Sequence, residues 1–202
     1  MTRVVAGAAR GRRLAVPPGH GTRPTSDRAR EALFSTLESM LGSLAGARVA
    51  DLYAGSGAVG LEALSRGASR VLLVEADHAA TRTVRTNVEA LGLPGAEVQA
   101  GRVERMAARP AGGPPYDVLF VDPPYDLPDD DLRGVLSALR DHGWVAAGAV
   151  VAVERATRGG TWRWPEGYEP DRSRRYGEAT LWYGRAAQPG SPPDGPVESA
   201  GG

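Results

Sequence analysis

The chain contains no cysteine. That absence removes disulfides, thiolate metal sites, iron–sulfur clusters and a cysteine nucleophile. Lysine is missing too, since all 24 basic residues are arginine. A P-loop lysine, a Schiff-base lysine and a pyridoxal phosphate anchor are therefore excluded. The plentiful alanine, glycine, proline and arginine point to base composition as the origin of the lysine gap. Only three histidines occur (His20, His78 and His142), with no two at metal-ligand spacing, so no metal site is expected. No segment approaches the roughly 18 uninterrupted apolar residues of a membrane helix. The basic N-terminus has no apolar run behind it, unlike a secretory signal. The expectation is a cytoplasmic protein without membrane contact.

What is present is 202 residues with 42% hydrophobic and 24% charged side chains, a length that suits one α/β domain with a small appendage. The 24 basic and 24 acidic residues give zero net charge. The zero conceals an asymmetry. Residues 1–30 hold seven arginines (Arg3, Arg10, Arg12, Arg13, Arg23, Arg28 and Arg30) against Asp27 alone. The remainder is acidic by the compensating amount. A basic end of this kind suits an anionic partner such as nucleic acid, and a solvated terminus accounts for it equally well.

The pattern divides into four stretches. Arg3-Val4-Val5-Ala6 and Arg13-Leu14-Ala15-Val16 flank a glycine/arginine turn and predict a β-hairpin stopped by Pro17-Pro18-Gly19. Thr25-Ser26-Asp27 then caps a helix with apolar spacing through Leu41. Strand candidates at 48–53, 70–75, 96–100, 116–121 and 147–154 alternate with helical patterns near 58–67, 78–91, 103–109 and 128–142. That alternation predicts βαβ units and a mostly parallel sheet. Residues 160–185 read as a terminal hairpin, with Thr161-Trp162-Arg163-Trp164 strand-like and Tyr176-Gly177-Glu178 as the turn. Trp162, Trp164 and Trp182 are expected in its core. The proline- and glycine-rich end reads as disordered. The expected organisation is a basic extension over 1–25, a catalytic domain over 26–185 and a tail over 186–202.

Two motifs carry the chemistry. After the first sheet strand, Gly55, Gly57 and Gly60 satisfy G-x-G-x-x-G within Asp51-Leu52-Tyr53-Ala54-Gly55-Ser56-Gly57-Ala58-Val59-Gly60, and Glu75 follows Gly55 by 20 residues. Such glycines let a ligand approach backbone amides, and the acid chelates a ribose diol. A dinucleotide and S-adenosylmethionine both carry such a ribose. Asp51, and the lack of any basic residue between 49 and 65, favour the cationic S-adenosylmethionine over a pyrophosphate. The other motif, Asp122-Pro123-Pro124-Tyr125, ends the strand at 116–121. Its prolines remove amide donors and leave Asp122 and carbonyl oxygens as acceptors, an arrangement fit to hold both hydrogens of an exocyclic amine while Tyr125 stacks on the base.

These motifs, with Arg10-Gly11-Arg12-Arg13-Leu14 and Arg23-Pro24-Thr25-Ser26-Asp27-Arg28-Ala29-Arg30-Glu31 before them, resemble the RsmD-type family of small-subunit ribosomal RNA guanine-N2 methyltransferases. The resemblance covers about residues 3 to 185. It implies a Rossmann-like class I methyltransferase fold: a mostly parallel seven-stranded sheet, a terminal antiparallel hairpin and a small N-terminal β-hairpin extension. It also implies a monomer that methylates the N2 amine of one guanine of 16S rRNA, in the small subunit or a late assembly intermediate. Cofactor contacts then fall to Asp51, Tyr53, Gly55, Ser56, Gly57, Gly60, Glu75 and Ala76. The chain departs from the family at Gln99-Ala100-Gly101-Arg102-Val103, where an adenine contact is expected, which leaves Arg102 or backbone for that role. RNA contacts are expected from Arg10, Arg12 and Arg13; Arg23, Arg28 and Arg30 either contact RNA or, for those inside the helix, make structural pairs with Glu31 or the sheet domain. Arg172, Arg174 and Arg175 extend the basic rim or lie on a solvated hairpin. Rival readings are an adenine-N6 methyltransferase, a nicotinamide-dependent oxidoreductase and a catalytically silent RNA-binding factor. RNA binding should weaken with rising salt despite the neutral total, because phosphate contacts release counterions.

Overall fold

The computed structural model describes residues 2–17 and 27–187. Arg23, His20, the Thr25-Ser26 cap and residues 188–202 of the expected tail lie outside the described residues. Nine strands and five helices are described: β1 (Thr2–Arg3), β2 (Arg13–Leu14), α1 (Asp27–Leu41), β3 (Arg48–Leu52), α2 (Ala58–Ser65), β4 (Arg70–Glu75), α3 (His78–Leu91), β5 (Ala96–Ala100), α4 (Val103–Ala107), β6 (Tyr116–Val121), α5 (Asp129–Asp141), β7 (Val145–Ala156), β8 (Tyr168–Tyr176) and β9 (Ala179–Ala186).

Strands β3 to β9 form one sheet in the order β5-β4-β3-β6-β7-β9-β8. The first five run parallel, and β9 pairs antiparallel with both β7 and β8. This is the mostly parallel sheet expected from the alternating pattern and the Rossmann-like architecture implied by the family resemblance. The central strands are apolar on both faces because helices cover both. One face buries Val49, Val71, Leu73, Val118, Phe120, Val150 and Ala152 beneath α1, α2 and α3. The other buries Leu52, Leu72, Val74, Leu119, Val121, Val151 and Val153 beneath α4 and α5. The chain winds outward from β3 through β4 to β5, then returns to place β6 on the other side of β3. Ligands of open α/β sheets bind at such a reversal, beyond the carboxyl ends of the strands.

Two expectations need correction. Residues 161–164 form no strand. Their alternation comes from irregular backbone that buries Trp162 against the α5 face and exposes Arg163. Trp162 meets Trp164 edge-on at 6.0 Å, and Trp164 stacks on Tyr168 at 6.1 Å. The N-terminal hairpin is also shorter than expected, two residues a side, although the amides of Val4 and Gly11 continue its pairing.

That hairpin is fastened by a buried carboxylate. Glu62 of α2 is fully buried and accepts the amides of Val5 (2.7 Å) and Ala6 (2.8 Å). Its partners in charge are Arg66 at 3.0 Å and Arg30 at 3.5 Å. Gly7 packs so closely that an added Cβ would lie 1.8 Å from the Ser65 carbonyl oxygen. Arg30 is only 1% exposed, pairs with Asp27 at 2.9 Å and donates to the Arg3 carbonyl. Of the two alternatives for Arg30, the structure shows the structural pair: its charge is matched inside the molecule. Breaking a buried pair by neutralising one partner costs about 3–5 kcal/mol. Glu62→Gln should lower the melting temperature by roughly 10 °C in a thermal scan, whereas a change within about 2 °C would contradict the role of this anchor.

Candidate functional site

Strand β3 ends at Leu52, and Tyr53 turns the chain with φ 66°, the one positive value among described non-glycine residues. Its hydroxyl donates to Glu104 of α4 at 2.8 Å, which pins the strained turn. The glycines then divide their work. At Gly60 a Cβ would lie 2.7 Å from Leu73 and 2.8 Å from Val71, so this glycine lets α2 close on the sheet. Gly57 is likewise buried, near Leu73 and Val84. Only Gly55 of the three, at φ 57°, has open space where a Cβ would stand. Gly60 thus has a packing role, whereas Gly55 leaves open space at the loop.

The carboxylates converge on this opening. Glu75, at the end of β4, accepts the amides of Gly55 (2.8 Å) and Asp77 (2.7 Å). Both loops are thus ordered around it. Gly101 donates to the Glu75 carbonyl at 2.9 Å, which brings the exposed Arg102 to the same rim, with the exposed Ala76 beside Glu75. Asp51 is buried in β3 and accepts the amide of Gly60 at 2.8 Å. Burial pushes its carboxyl up to about 7, the Gly60 amide opposes this, and the Glu75 charge adds to it.

Asp122 follows β6, and its amide reaches the Leu52 carbonyl at 3.4 Å. Strand register places it one step beyond the Val121–Val153 pair, level with Glu154 of β7. Asp51 pairs with Phe120, two residues before Asp122. Alternation along parallel strands puts Asp51, Asp122 and Glu154 on one face of the sheet. Burial raises the Asp122 carboxyl well above the ordinary range, Glu154 and Asp51 add to the shift, and Arg155 opposes it. Glu154 is raised by burial as well. Pro123 is buried, while Pro124 and Tyr125 are exposed, Tyr125 by 64%.

The donor set fits a cationic nucleoside such as S-adenosylmethionine. Carboxylates line the opening, open space lies beside Gly55, and the loop from 53 to 60 carries no basic side chain. Among described residues no group of acids and histidines has metal-site geometry, and no helix is long and apolar enough to cross a membrane.

The basic residues lie on the flank. Arg10, Arg12, Arg13 and Arg28 are exposed, and Arg12 donates to the Ala90 carbonyl of α3. Asn87, buried on α3, joins this extension to the glycine loop. It accepts the Ala15 amide at 2.7 Å and donates to the carbonyls of Ala15 (3.0 Å) and Ser56 (2.9 Å). Sequence reasoning did not single out Asn87, Glu104, Glu154 or Arg155. The available signal for Glu154 was its place after the apolar run of β7, the same kind of position that Glu75 and Asp122 occupy.

The raised carboxyl of Asp51 has a consequence for stability. Between the ordinary value of 3.8 and about 7, the folded state keeps a proton that the unfolded state releases. Stability from this group is complete below that window and is lost as pH rises through it, by at most about 1.4 kcal/mol per pH unit. Melting scans of the ligand-free protein should fall from about pH 4 to about pH 7, and Asp51→Asn should reduce the slope. An unchanged slope would contradict the burial argument.

Comparison with known proteins agrees with this geometry. The family described as conserved hypothetical protein 95 matches residues 2–185. Ribosomal RNA small subunit methyltransferase D of Escherichia coli K12 is 36% identical over 187 residues, covering 92% of this chain and 91% of that protein. The protein of the same name from Haemophilus influenzae is 32% identical over 154 residues, or 75% and 77% of the two chains. Among solved structures, yhhF of Escherichia coli superposes with TM-score 0.80 at 32% identity, covering 92% of this chain and 97% of that one. A hypothetical protein of Thermus thermophilus does so with TM-score 0.74 at 36% identity, covering 93% and 99%. With a family match over residues 2–185 and a relative 36% identical over 92% of this chain, the chain belongs to the RsmD-type methyltransferase family.

Proposed function

We propose that this protein transfers a methyl group from S-adenosylmethionine to the exocyclic N2 amine of a guanine in 16S rRNA, as a monomer acting on the small subunit or a late assembly intermediate in the cytoplasm. The observation that carries the reading is the convergence of Asp122-Pro123-Pro124-Tyr125 with the Gly55 opening, Asp51 and Glu75 at one end of the sheet. The names of the relatives, ribosomal RNA small subunit methyltransferase D, support the RNA substrate.

Glu75 would hold the ribose diol, its carboxylate already oriented by two amides. Gly55 and Ser56 would border the ligand, with Tyr53, Ala76 and Arg102 at the rim and Asp51 toward the cationic end. When bound, S-adenosylmethionine supplies an electrophilic methyl on a positive sulfur. The chain's own task is to make a poor nucleophile attack. The Asp122 carboxylate and the Pro123 carbonyl would each accept one amine hydrogen, which turns the nitrogen lone pair toward the methyl, while the exposed Tyr125 stacks on the base. Position and electrostatics supply most of the rate. The nitrogen becomes positive as its bond to carbon forms, and one of its protons leaves to Asp122. The raised affinity of Asp122 for protons makes it a better acceptor than an ordinary carboxylate near about 3.9.

An RNA enzyme must draw its base out of the stack and hold the flanking backbone. Arg10, Arg12, Arg13 and Arg28 are exposed for that task, and Asn87 ties the extension that carries the first three to the glycine loop. The contact expected of Arg23 lies outside the described residues and stays with this proposal.

The test is incubation with undermethylated small subunits and labelled cofactor, followed by nucleoside analysis. N2-methylguanosine in the 16S rRNA is the expected product, and N6-methyladenosine alone would refute the reading. Asp122→Asn should lower kcat by about 100-fold or more while RNA binding persists. The wild-type rate should fall on acidification at a pH above the ordinary carboxylate range, because protonated Asp122 cannot accept. Full activity in Asp122→Asn would remove it from the mechanism.

A further inference from the structure

Among the described strands, β8 is the outermost on its side of the sheet, with β9 as its one neighbour. Both β7 and β8 run antiparallel to β9, so β8 points the same way as β7 and its last residues lie at the crevice end. Every residue from Glu169 to Arg175 is exposed. Charge is sorted along this edge. Glu169 and Asp171 occupy the half remote from the crevice, and Arg172, Arg174 and Arg175 occupy the near half. The exposed Arg158 joins them. Its neighbour Thr157 donates its amide to the Glu178 carbonyl at 2.7 Å and meets the Thr180 hydroxyl at 3.0 Å, which holds this segment against the β8–β9 turn. The turn itself adds one acid, Glu178.

Register fixes where this patch stands. Arg174 pairs with Leu181 of β9, Leu181 pairs with Glu154 of β7, and Asp122 lies level with Glu154 on β6. Three strand spacings of about 4.8 Å put Arg174 about 14 Å from Asp122. The N-terminal extension is fastened to α2 and α3, which cover β3, β4 and β5 on the other side of Asp122. Basic side chains thus flank the Asp-Pro-Pro-Tyr turn from both sides. Alternation places Arg172 and Arg174 on the α1 face with Tyr183 and Leu181, and Arg175 on the opposite face, so the cluster wraps the edge. Shielding of an exposed edge against strand pairing needs charge of either sign, and Pro170 with the bulge beside it already blunts the remote half. Shielding therefore leaves the sorting of arginines to the crevice half unexplained. Phosphates account for it, because a guanidinium fork matches their oxygens and the need for cations lies beside the pocket. Among the described residues, Arg172 and Arg175 engage Nε locally, with Asp171 and the Gly177 carbonyl, and not the Nη pair.

We propose that the crevice half of β8, with Arg158 beside it, is a second RNA-contact surface, which holds phosphates on the flank of the target base opposite the N-terminal extension. The inference rests on the rRNA methyltransferase reading and adds to it a surface that the extension does not supply. A base drawn from its stack leaves backbone on both flanks to be held, and basic residues on either side of a central acid meet that need.

The experiment uses the full-length protein with Arg172→Gln, Arg174→Gln and Arg175→Gln combined, an exposed set outside the core, beside a variant with lysine at the same positions. Binding to protein-free 16S rRNA is measured across a salt series. Methylation of undermethylated small subunits gives KM and kcat, and calorimetry gives the affinity for S-adenosylhomocysteine. In the glutamine variant the slope of log affinity against log salt should be shallower by about 2 to 3. Its KM should rise about tenfold, with kcat and S-adenosylhomocysteine affinity as in the wild type. The lysine variant keeps the charge and should keep the slope. An unchanged slope in the glutamine variant would overturn the proposal, as would a loss confined to kcat or to S-adenosylhomocysteine affinity. A raised KM on subunits with unchanged binding to protein-free rRNA would assign the arginines to a ribosomal protein and overturn it too. Failure of the wild type to methylate small subunits would instead refute the methyltransferase reading, and the salt series would still decide whether β8 binds RNA.

Discussion

Carboxylates held out of water at the ends of β3, β6 and β7 set the terms for the rest of the site. Asp51, Asp122 and Glu154 lie on one face of adjacent parallel strands, and burial raises the proton affinity of all three. Parallel packing brings this about, because strands covered on both faces leave their last side chains beneath helices and loops. Water cannot solvate these charges fully, and the Gly60 amide and the nearby Arg155 offset them only in part. A crevice of this kind suits a positive ligand. A pyrophosphate would add to the like-charge repulsion that already raises these carboxyls.

The same logic fastens the N-terminal extension, with the opposite outcome. Glu62 is as deeply buried as Asp51, yet it is surrounded by two amides and two guanidinium groups. Fully paired, it is a joint and not a reactive group. Asn87 makes a second joint, between Ala15 and Ser56. Basic residues on the hairpin are therefore coupled to the glycine loop through a short chain of hydrogen bonds. An arm carried in this way keeps its orientation to the crevice.

Much of this was legible in the residues. Turn glycines and apolar runs placed the five parallel strands to within a residue or two, and acids at strand ends marked Asp51, Glu75 and Asp122. Legibility ended where tertiary burial overrode local pattern. Trp162 and Trp164 alternate with polar residues as a strand does, yet they pack from irregular backbone. The place of Arg30 inside a helix suggested a structural pair, but its buried partner Glu62 lies far along the chain on α2. Gly60 belongs to the ligand fingerprint by spacing, but its contacts are with Leu73 and Val71. Arg155 and Glu154 look like the polar end of β7. Their importance comes from β6 lying alongside, a non-local pairing that no window of sequence contains.

The central claim is that desolvated acids select a cationic nucleoside. Titration calorimetry in buffers of different ionisation enthalpy tests it most directly. S-adenosylmethionine should bind near about pH 7 with release of protons from the acid cluster, S-adenosylhomocysteine with less release, and NAD without measurable affinity. Tighter binding of NAD, or S-adenosylmethionine binding without proton release, would contradict the account.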